Sequence, residues 1–333
     1  MKKEVIVVKK LTKYYKRKVK KEDSFWKHLI KRDYEVVKAL KEIDLSISEG
    51  EIVGYVGLNG AGKSTTIKLL TGILHPDSGS IEVFGMNPFK HRQRIVARIG
   101  VMFGQRSHLL WDLPLIHSLD LLKKIYNIPD NIYQESIELA KKYLGIGDLL
   151  KIPVRTMSLG QRIRGEFTAI MLHQPEILFL DEPTIGLDVI TKNEIKKLLH
   201  YLNEEKGCTI FLTTHDLRDI EKICKRVVVL DEGRIILDDQ VNNLLNKVES
   251  QFLSVTFADM RVPESLLQFE GIEVLSKDKN VARIKYDRKY YTIESLLKKL
   301  MTNYNIEGFY LEQPDLEEII LNLYKSRRNK VVV

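Results

Sequence analysis

The sequence predicts an α/β fold built on a largely parallel sheet, with an inserted all-α subdomain and a small C-terminal α+β domain. Three observations carry this. From Val5 to about Leu237, short β-rich runs alternate with helical patterns. Between Leu113 and Gln174 apolar residues recur at helical spacing almost throughout. After Leu237 short strands and amphipathic helices return in another order, so the boundaries predicted are 1–240 and 241–333, with the joint near 238–250. The length, 333 residues, fits about two domains, and 44% apolar with 29% charged residues excludes wholesale disorder.

Taken in order, Ile43, Leu45 and Ile47 alternate with polar residues before Glu49-Gly50, as in a strand entering a turn. EIVGYVG (51–57) is a β-rich run meeting glycines, and KSTTIKLLTGIL after it reads as a helix. Buried-strand candidates follow at IGVMF (99–103), EILFL (176–180), CTIFLTT (208–214) and RVVVL (226–230). The helical block holds SLDLLKKIY, NIYQESIELAKKYLG and a third helix from about Gly160 to Leu172. In the last domain QFLSVTF, GIEVLSK, VARIKY and IEGFYLEQ read as strands, and TIESLLKKLMTNY and PDLEEIILNLYKS as amphipathic helices.

The two cysteines, Cys208 and Cys224, lie in apolar runs without a CxxC or His/Cys cluster, which predicts reduced core thiols. The apolar stretch after the first lysines is only four residues long, too short for a signal peptide, and no window is long and apolar enough for a membrane helix. A cytoplasmic protein is therefore expected. The net charge of +8 is uneven: residues 13–21, KYYKRKVKK, carry six basic side chains, and Lys325, Arg327, Arg328 and Lys330 close the chain. Such clusters suit an anionic surface and are also commonly just solvated.

The chemistry begins at Gly57-Leu-Asn59-Gly60-Ala61-Gly62-Lys63-Ser64, followed by Thr65, which fits G-x-x-x-x-G-K-[ST] between a strand and a helix pattern. Glycines there let successive N–H groups turn inward onto anionic oxygens, and the helix start adds its partial positive charge. Lys63 is placed to reach the β- and γ-phosphates of a nucleotide, and the Ser64 hydroxyl to ligate Mg²⁺. A second site ends the strand EILFLDEP. Asp181 is suited to hold Mg²⁺, and Glu182 to orient or deprotonate an attacking water.

Between these sites stands Met157-Ser158-Leu159-Gly160-Gln161-Arg162, opening a helix. With it the chain, over residues 4 to about 240, resembles the ATPase subunit of an ABC transporter. Gln105, ending IGVMFGQ, is similar to the family's Q-loop; Ile185-Gly186-Leu187-Asp188 resembles the D-loop; His215 in FLTTHDL resembles the switch histidine. Tyr15 in LTKYYKR stands where the family has an aromatic that stacks on adenine, with Tyr14 the neighbouring alternative. The resemblance implies ATP and Mg²⁺ as cofactors, with Gln105 joining Ser64 and Asp181 at the metal. It implies a head-to-tail dimer in which each ATP lies between one P-loop and the partner's signature segment, here Ser158, Gly160 and Gln161, with Asp188 beside it. One departure from the family is Leu159, where a glycine is usual; a helical backbone at that point accommodates it.

The resemblance also implies a separate integral-membrane permease and a position on the cytoplasmic face of the membrane. The ending PDLEEIILNLY (314–324) resembles the tail of type-2 exporter ATPases of the sodium, drug and antibiotic efflux branch, with Asp315 at the usual serine and Ile319 or Ile320 at the usual Phe. An importer ATPase with a C-terminal regulatory domain is the alternative. A soluble ABC ATPase on ribosomes or DNA is a third class, and the single cassette without heptads or an aromatic-studded basic strand argues against it and against nucleic acid. All motifs of a competent site in one chain favour a homodimer. The segment Lys16 to Val36 places Phe25, Trp26, Leu29 and Ile30 among lysines, which suits either an amphipathic element on an anionic leaflet or a solvated hairpin.

Overall fold

The computed structural model describes residues 3–18, 34–104, 107–246, 250–259, 261–264, 266, 269–287, 289–312 and 316–331. The chain divides into two compact units, Met1–Asp239 and Gln240–Val333.

The first unit is built on a six-stranded sheet in the order β5-β6-β7-β3-β8-β9. Its strands are β3 (Ile52–Gly57), β5 (Ile99–Phe103), β6 (Ile177–Asp181), β7 (Thr209–Thr214), β8 (Arg226–Asp231) and β9 (Arg234–Gln240). The neighbours from β5 to β8 all pair in parallel. Every residue of β3, β6 and β7 is buried, as expected of parallel strands covered on both faces. The rings of Phe179, Phe211 and Tyr55 form a row through three adjacent strands, with centroids 5.8 and 5.0 Å apart. Both cysteines are buried and unbridged, and burial pushes the Cys208 thiol up to about 12.

A second sheet, in the order β2-β1-β4, was not separated from the first by the sequence pattern. Here β1 (Glu4–Lys18) and β2 (Tyr34–Ser48) form a long antiparallel hairpin, and β4 (Ser78–Val83) pairs with the outer side of β1. Bulges break the register around Leu11, and Lys10 and Glu42 take positive φ there. The strands run further than the sequence suggested: Lys16 pairs with Val36 and Lys18 with Tyr34, so the ends of the 16–36 segment are strand. Phe25, Trp26, Leu29 and Ile30 lie outside the described residues.

Helix α1 (Lys63–Leu70) follows the P-loop. It stops four residues short of the predicted end, because Gly72 turns at φ 68° and the Ile73 and Leu74 amides fold back on the Lys68 carbonyl. After the short α2 (Arg92–Val96) comes the helical block: α3 (Leu115–Ile125), α4 (Asp130–Leu144), two 3-10 turns, and α5 (Leu159–Met171). The chain then returns to the sheet, adding α6 (Val189–Glu204) and α7 (Leu217–Ile223). The β8–β9 connection is the Glu232-Gly233 turn, with both residues at positive φ as a two-residue hairpin requires.

The second unit opens with α8 (Val241–Asn246) and has a four-stranded antiparallel sheet in the order β11-β12-β10-β13. These strands are β10 (Ser250–Phe257), β11 (Ile272–Asp278), β12 (Val281–Asp287) and β13 (Ile306–Glu312). Leu296 and Leu300 of α9 (Ile293–Asn303) are buried with Leu253, Val255, Phe257 and Ile284 of the sheet. The last helix, α10 (Leu316–Val331), packs with α8.

Candidate nucleotide and catalytic site

Parallel strands end on one side of a sheet, and the order β6-β7-β3 brings three such ends together. The pairing aligns Asp181 with Thr213 and Val56 with Thr214, so the P-loop, Asp181-Glu182 and the chain leading to His215 start from adjacent positions.

The P-loop curls because its glycines permit it. Gly60 and Gly62 take φ of 84° and 115°. A Cβ on Gly62 would lie 2.6 Å from the Ala39 carbonyl oxygen, and one on Gly57 would lie 2.4 Å from that of Leu230. The loop is held from outside by the Gly233 amide, which donates to Ala61 O at 3.1 Å, while Lys41 N donates to Gly233 O. Lys63, the first residue of α1, is 6% exposed and donates Nζ to Gly57 O at 2.8 Å and Leu58 O at 3.4 Å.

Asp181 is buried and accepts from the Thr213 hydroxyl at 2.7 Å. Glu182 stands in the left-handed region at φ 53°, at a cost on the order of 1–3 kcal/mol. Thr213 holds it there, since the Glu182 amide donates to Thr213 O at 2.9 Å. In this conformation the Glu182 carboxylate reaches both neighbours, with Lys63 Nζ at 3.6 Å and His215 Nδ1 at 3.4 Å. An observed strain that places a carboxylate between two polar groups is the pattern expected of a working residue.

Two cavities meet at Ser64 and Glu182. One, of about 660 Å³, is lined by Tyr15, Asn59, Gly60, Gly62, Lys63, Ser64 and Thr65, and also by Val36 to Ala39, Lys41 and Glu232. The other, of about 540 Å³, is lined by Ser64, Phe103, Gly104, Asp181 and Glu182 among others. Tyr15 extends its hydroxyl to within 3.4 Å of Thr65 Oγ1, while Tyr14, facing the other way on the strand, lies under Lys38 Nζ. Gln105 lies outside the described residues.

The signature residues form a different constellation. Ser158 caps α5, accepting from Gln161 N at 3.2 Å, while Gln161 Oε1 accepts from Ser158 N at 2.9 Å. This reciprocal box is worth about 1 kcal/mol. Leu159 is the first helical residue and is 44% exposed, so its side chain points away from the chain's interior. Gly160 lies against the start of α6, where Asp188 accepts from Thr191 N at 2.9 Å and Thr191 Oγ1 at 2.8 Å. Those hydrogen bonds hold the Asp188 carboxyl below the usual carboxylate range. Neither cavity is lined by Ser158, Gly160, Gln161 or Asp188.

Sequence reasoning missed the Val36–Lys41 strand wall, the Glu232-Gly233 turn and Thr213. The first two are brought to the P-loop by sheet pairing, for which a linear motif carries no sign. Thr213 was visible in FLTTH, but only the alignment of β6 with β7 gives it a partner.

Residues 40–185 match the profile described as ABC transporter. The chain is 34% identical over 232 residues to the bacitracin transport ATP-binding protein BcrA of Bacillus licheniformis, covering 69% of this chain and 74% of that protein. The chain belongs to the ABC transporter family. Its ATP-binding cassettes are ATPases coupled to transport. The linearmycin resistance ATP-binding protein LnrL of Bacillus subtilis (strain 168) is 28% identical and covers 88% of this chain and 96% of its own length. Among solved ABC cassettes, the dimeric post-hydrolysis state of MJ0796 bound to ADP and Pi superposes with a TM-score of 0.59 at 25% identity, covering 71% of this chain and 98% of that one. Among the described residues no helix of this ABC protein is long and apolar enough to cross a membrane.

Proposed function

We propose that this ATPase powers an exporter through a separate integral-membrane permease, working as a homodimer that closes head to tail around ATP at the cytoplasmic face of the membrane. The observation that carries the exporter reading is the extent of the likeness to LnrL, a resistance protein. It spans 88% of the chain and so reaches past Asp239 into the C-terminal unit. The dimeric MJ0796 cassette supports the closure. The two compact units support a division into an ATPase domain of residues 1–240 and an accessory domain of residues 241–333.

The geometry supports the following roles. Tyr15 offers a ring face to adenine, and the inward P-loop amides of Asn59 to Thr65 receive the phosphates. Lys63, now bonded to two loop carbonyls and facing Glu182, has the reach to turn its ammonium onto the terminal phosphates. The donors fit a hard divalent cation: Ser64 and Asp181 line one cavity, and with Gln105 they would hold Mg²⁺. That ion would offset phosphate charge. Glu182 accepts the proton of the attacking water, as its oxygen bonds to the γ-phosphorus and the bond to the β-phosphate oxygen breaks. His215 orients Glu182 through the 3.4 Å contact. Ser158, Gly160 and Gln161 present the positive end of a capped helix start to the γ-phosphate of a second copy, beside Asp188.

The test is gentle detergent extraction of the tagged chain from its own cell, with Glu182→Gln trapped in ATP beside it. A stoichiometric polytopic membrane protein and a dimer in the trapped variant are expected. A copurifying substrate-binding protein would replace the exporter with an importer. Ribosomal proteins or nucleic acid without a membrane partner would overturn the transport reading altogether.

A further inference from the structure

In the helical block one carboxylate is buried that lines neither cavity. Glu166, on α5 roughly two turns beyond Ser158, is 5% exposed. A charge so placed is costly unless its oxygens are hydrogen-bonded. Here they are, and all the donors come from one short segment. Oε1 accepts from His108 N at 3.0 Å and from the Ser107 hydroxyl; Oε2 accepts from His108 N at 3.1 Å and lies 3.0 Å from His108 Nδ1. Ser107 Oγ in turn accepts from Leu109 N at 3.0 Å. Apolar packing reinforces the clasp one residue away. A Cβ on Gly165 would lie 3.1 Å from side-chain atoms of both Leu109 and Leu115, so the bare glycine lets this segment press onto α5.

The clasped segment begins directly after Gln105-Arg106 in the chain. The helix it holds starts at the signature. We propose that Glu166 is a positioning residue that couples these two parts, so that the chain leaving Gln105 and the Ser158 end of α5 move as one body. The inference rests on the reading above, in which Gln105 meets the γ-phosphate of the chain's own ATP and Ser158 meets that of a second copy. Glu166 then transmits the state of one site to the surface that completes the other. A carboxylate suits this better than an apolar contact. It accepts several directed bonds at once, and losing one leaves a buried acceptor short of a partner.

The experiment compares wild type, Glu166→Gln and His108→Ala in the intact chain, reading ATP affinity, kcat, the Hill coefficient for ATP and the melting temperature. Glu166→Gln keeps the shape but turns one acceptor oxygen into an NH₂ facing donors. His108→Ala removes a side chain that is 35% exposed, so this variant folds even where the first does not. In both, ATP affinity stays within about 2-fold of wild type, kcat falls about 10-fold and the Hill coefficient drops toward one. The double variant is no worse than Glu166→Gln alone. A merely structural carboxylate would lower the melting temperature and leave the Hill coefficient as it was, which overturns the proposal, as does wild-type behaviour of a folded His108→Ala. Hydrolysis without cooperativity in the wild type overturns the dimer reading and this coupling with it.

Discussion

The P-loop end and the signature end of the ATPase unit are built on opposite plans. At the P-loop end, polar groups converge on a concavity: Lys63, Ser64, Asp181 and Glu182 line cavities walled by three parallel strands and a hairpin. Their side chains are largely buried and held by Thr213 and by loop carbonyls. At the signature end the polar groups satisfy one another locally and the surface around them is apolar and open. Leu159, Ile185, Val189 and Ile190 are 44%, 52%, 73% and 70% exposed. In the proposed reading one end is a pocket whose lining comes from this chain alone. The other, in the same reading, is a half-site, a capped helix start framed by exposed apolar side chains that a second copy would cover. Substitutions at the two ends should therefore fail differently.

The largest effect belongs to the pocket. Lys63→Ala removes the one ammonium at the P-loop and leaves the Gly57 and Leu58 carbonyls without that donor. ATP affinity of the isolated chain should fall about 100-fold, equal to about 2.8 kcal/mol, measured by calorimetric titration at constant salt. Affinity within a factor of about two of wild type would remove Lys63 from the site and the contrast with it.

A smaller and more selective effect is expected at the half-site. In Gly160→Ala the new Cβ would lie 3.4 Å from Thr191 Oγ1 and 3.7 Å from Asp188 Oδ2, so it fits inside the chain with little adjustment. Alanine also raises helix propensity, by about 0.5–1 kcal/mol. The variant should melt at or above the wild-type temperature and bind ATP normally, yet hydrolyse it about 10-fold more slowly, because the added methyl meets the ligand arriving from a second copy. Unchanged turnover would mean that nothing approaches Gly160 during the cycle.

The two ends also differ in how far the sequence disclosed them. The P-loop, Asp181-Glu182 and His215 were legible because each needs particular residue types at a strand end, and strand ends are marked by the apolar runs before them. The signature helix was legible through the resemblance of Met157 to Arg162 to the family's motif, whereas the capping box between Ser158 and Gln161 emerged from the structure. What stayed hidden was pairing. The separate β2-β1-β4 sheet, the strand wall at Val36 to Ala39 and the service of Thr213 to both Asp181 and Glu182 depend on which strands become neighbours. The bond from Ser107 and His108 to Glu166 was hidden for the same reason, because residues so far apart in sequence carry no local sign of meeting. The positive φ of Glu182 was equally unreadable, since nothing but tertiary hydrogen bonding holds a glutamate there.

The smallest effect concerns the strut between the two ends. Lys192, on the helix that begins at Asp188, bonds Asp216 at 2.9 Å and lies 3.4 Å from Asp219, while Thr184 Oγ1 donates to Asp219 at 2.7 Å. Asp216 follows His215, so the cluster ties the half-site's second helix to the chain leaving the catalytic strand ends. Burial pushes the Asp216 carboxyl up, but the Lys192 hydrogen bond and charge and the Arg218 amide outweigh it and leave it below the usual range. Burial likewise lowers Lys192, and its two carboxylate partners outweigh that and raise it. A depressed carboxyl stabilises the fold fully above its unfolded value of about 3.9 and loses that contribution as pH falls through the folded value. The raised ammonium contributes fully below about 10.4 and loses its share as pH rises through its own folded value. Asp216→Asn keeps an oxygen for the Arg218 amide and removes only the charge. It should cost less than about 1 kcal/mol at neutral pH, because the pair is partly exposed and screened, and the difference from wild type should vanish at an acid pH below the folded value. Urea denaturation of both proteins at the two pH values measures this. A cost that persists unchanged in acid would mean that the aspartate acts through its shape at the helix cap, and that the two ends are joined by packing rather than by charge.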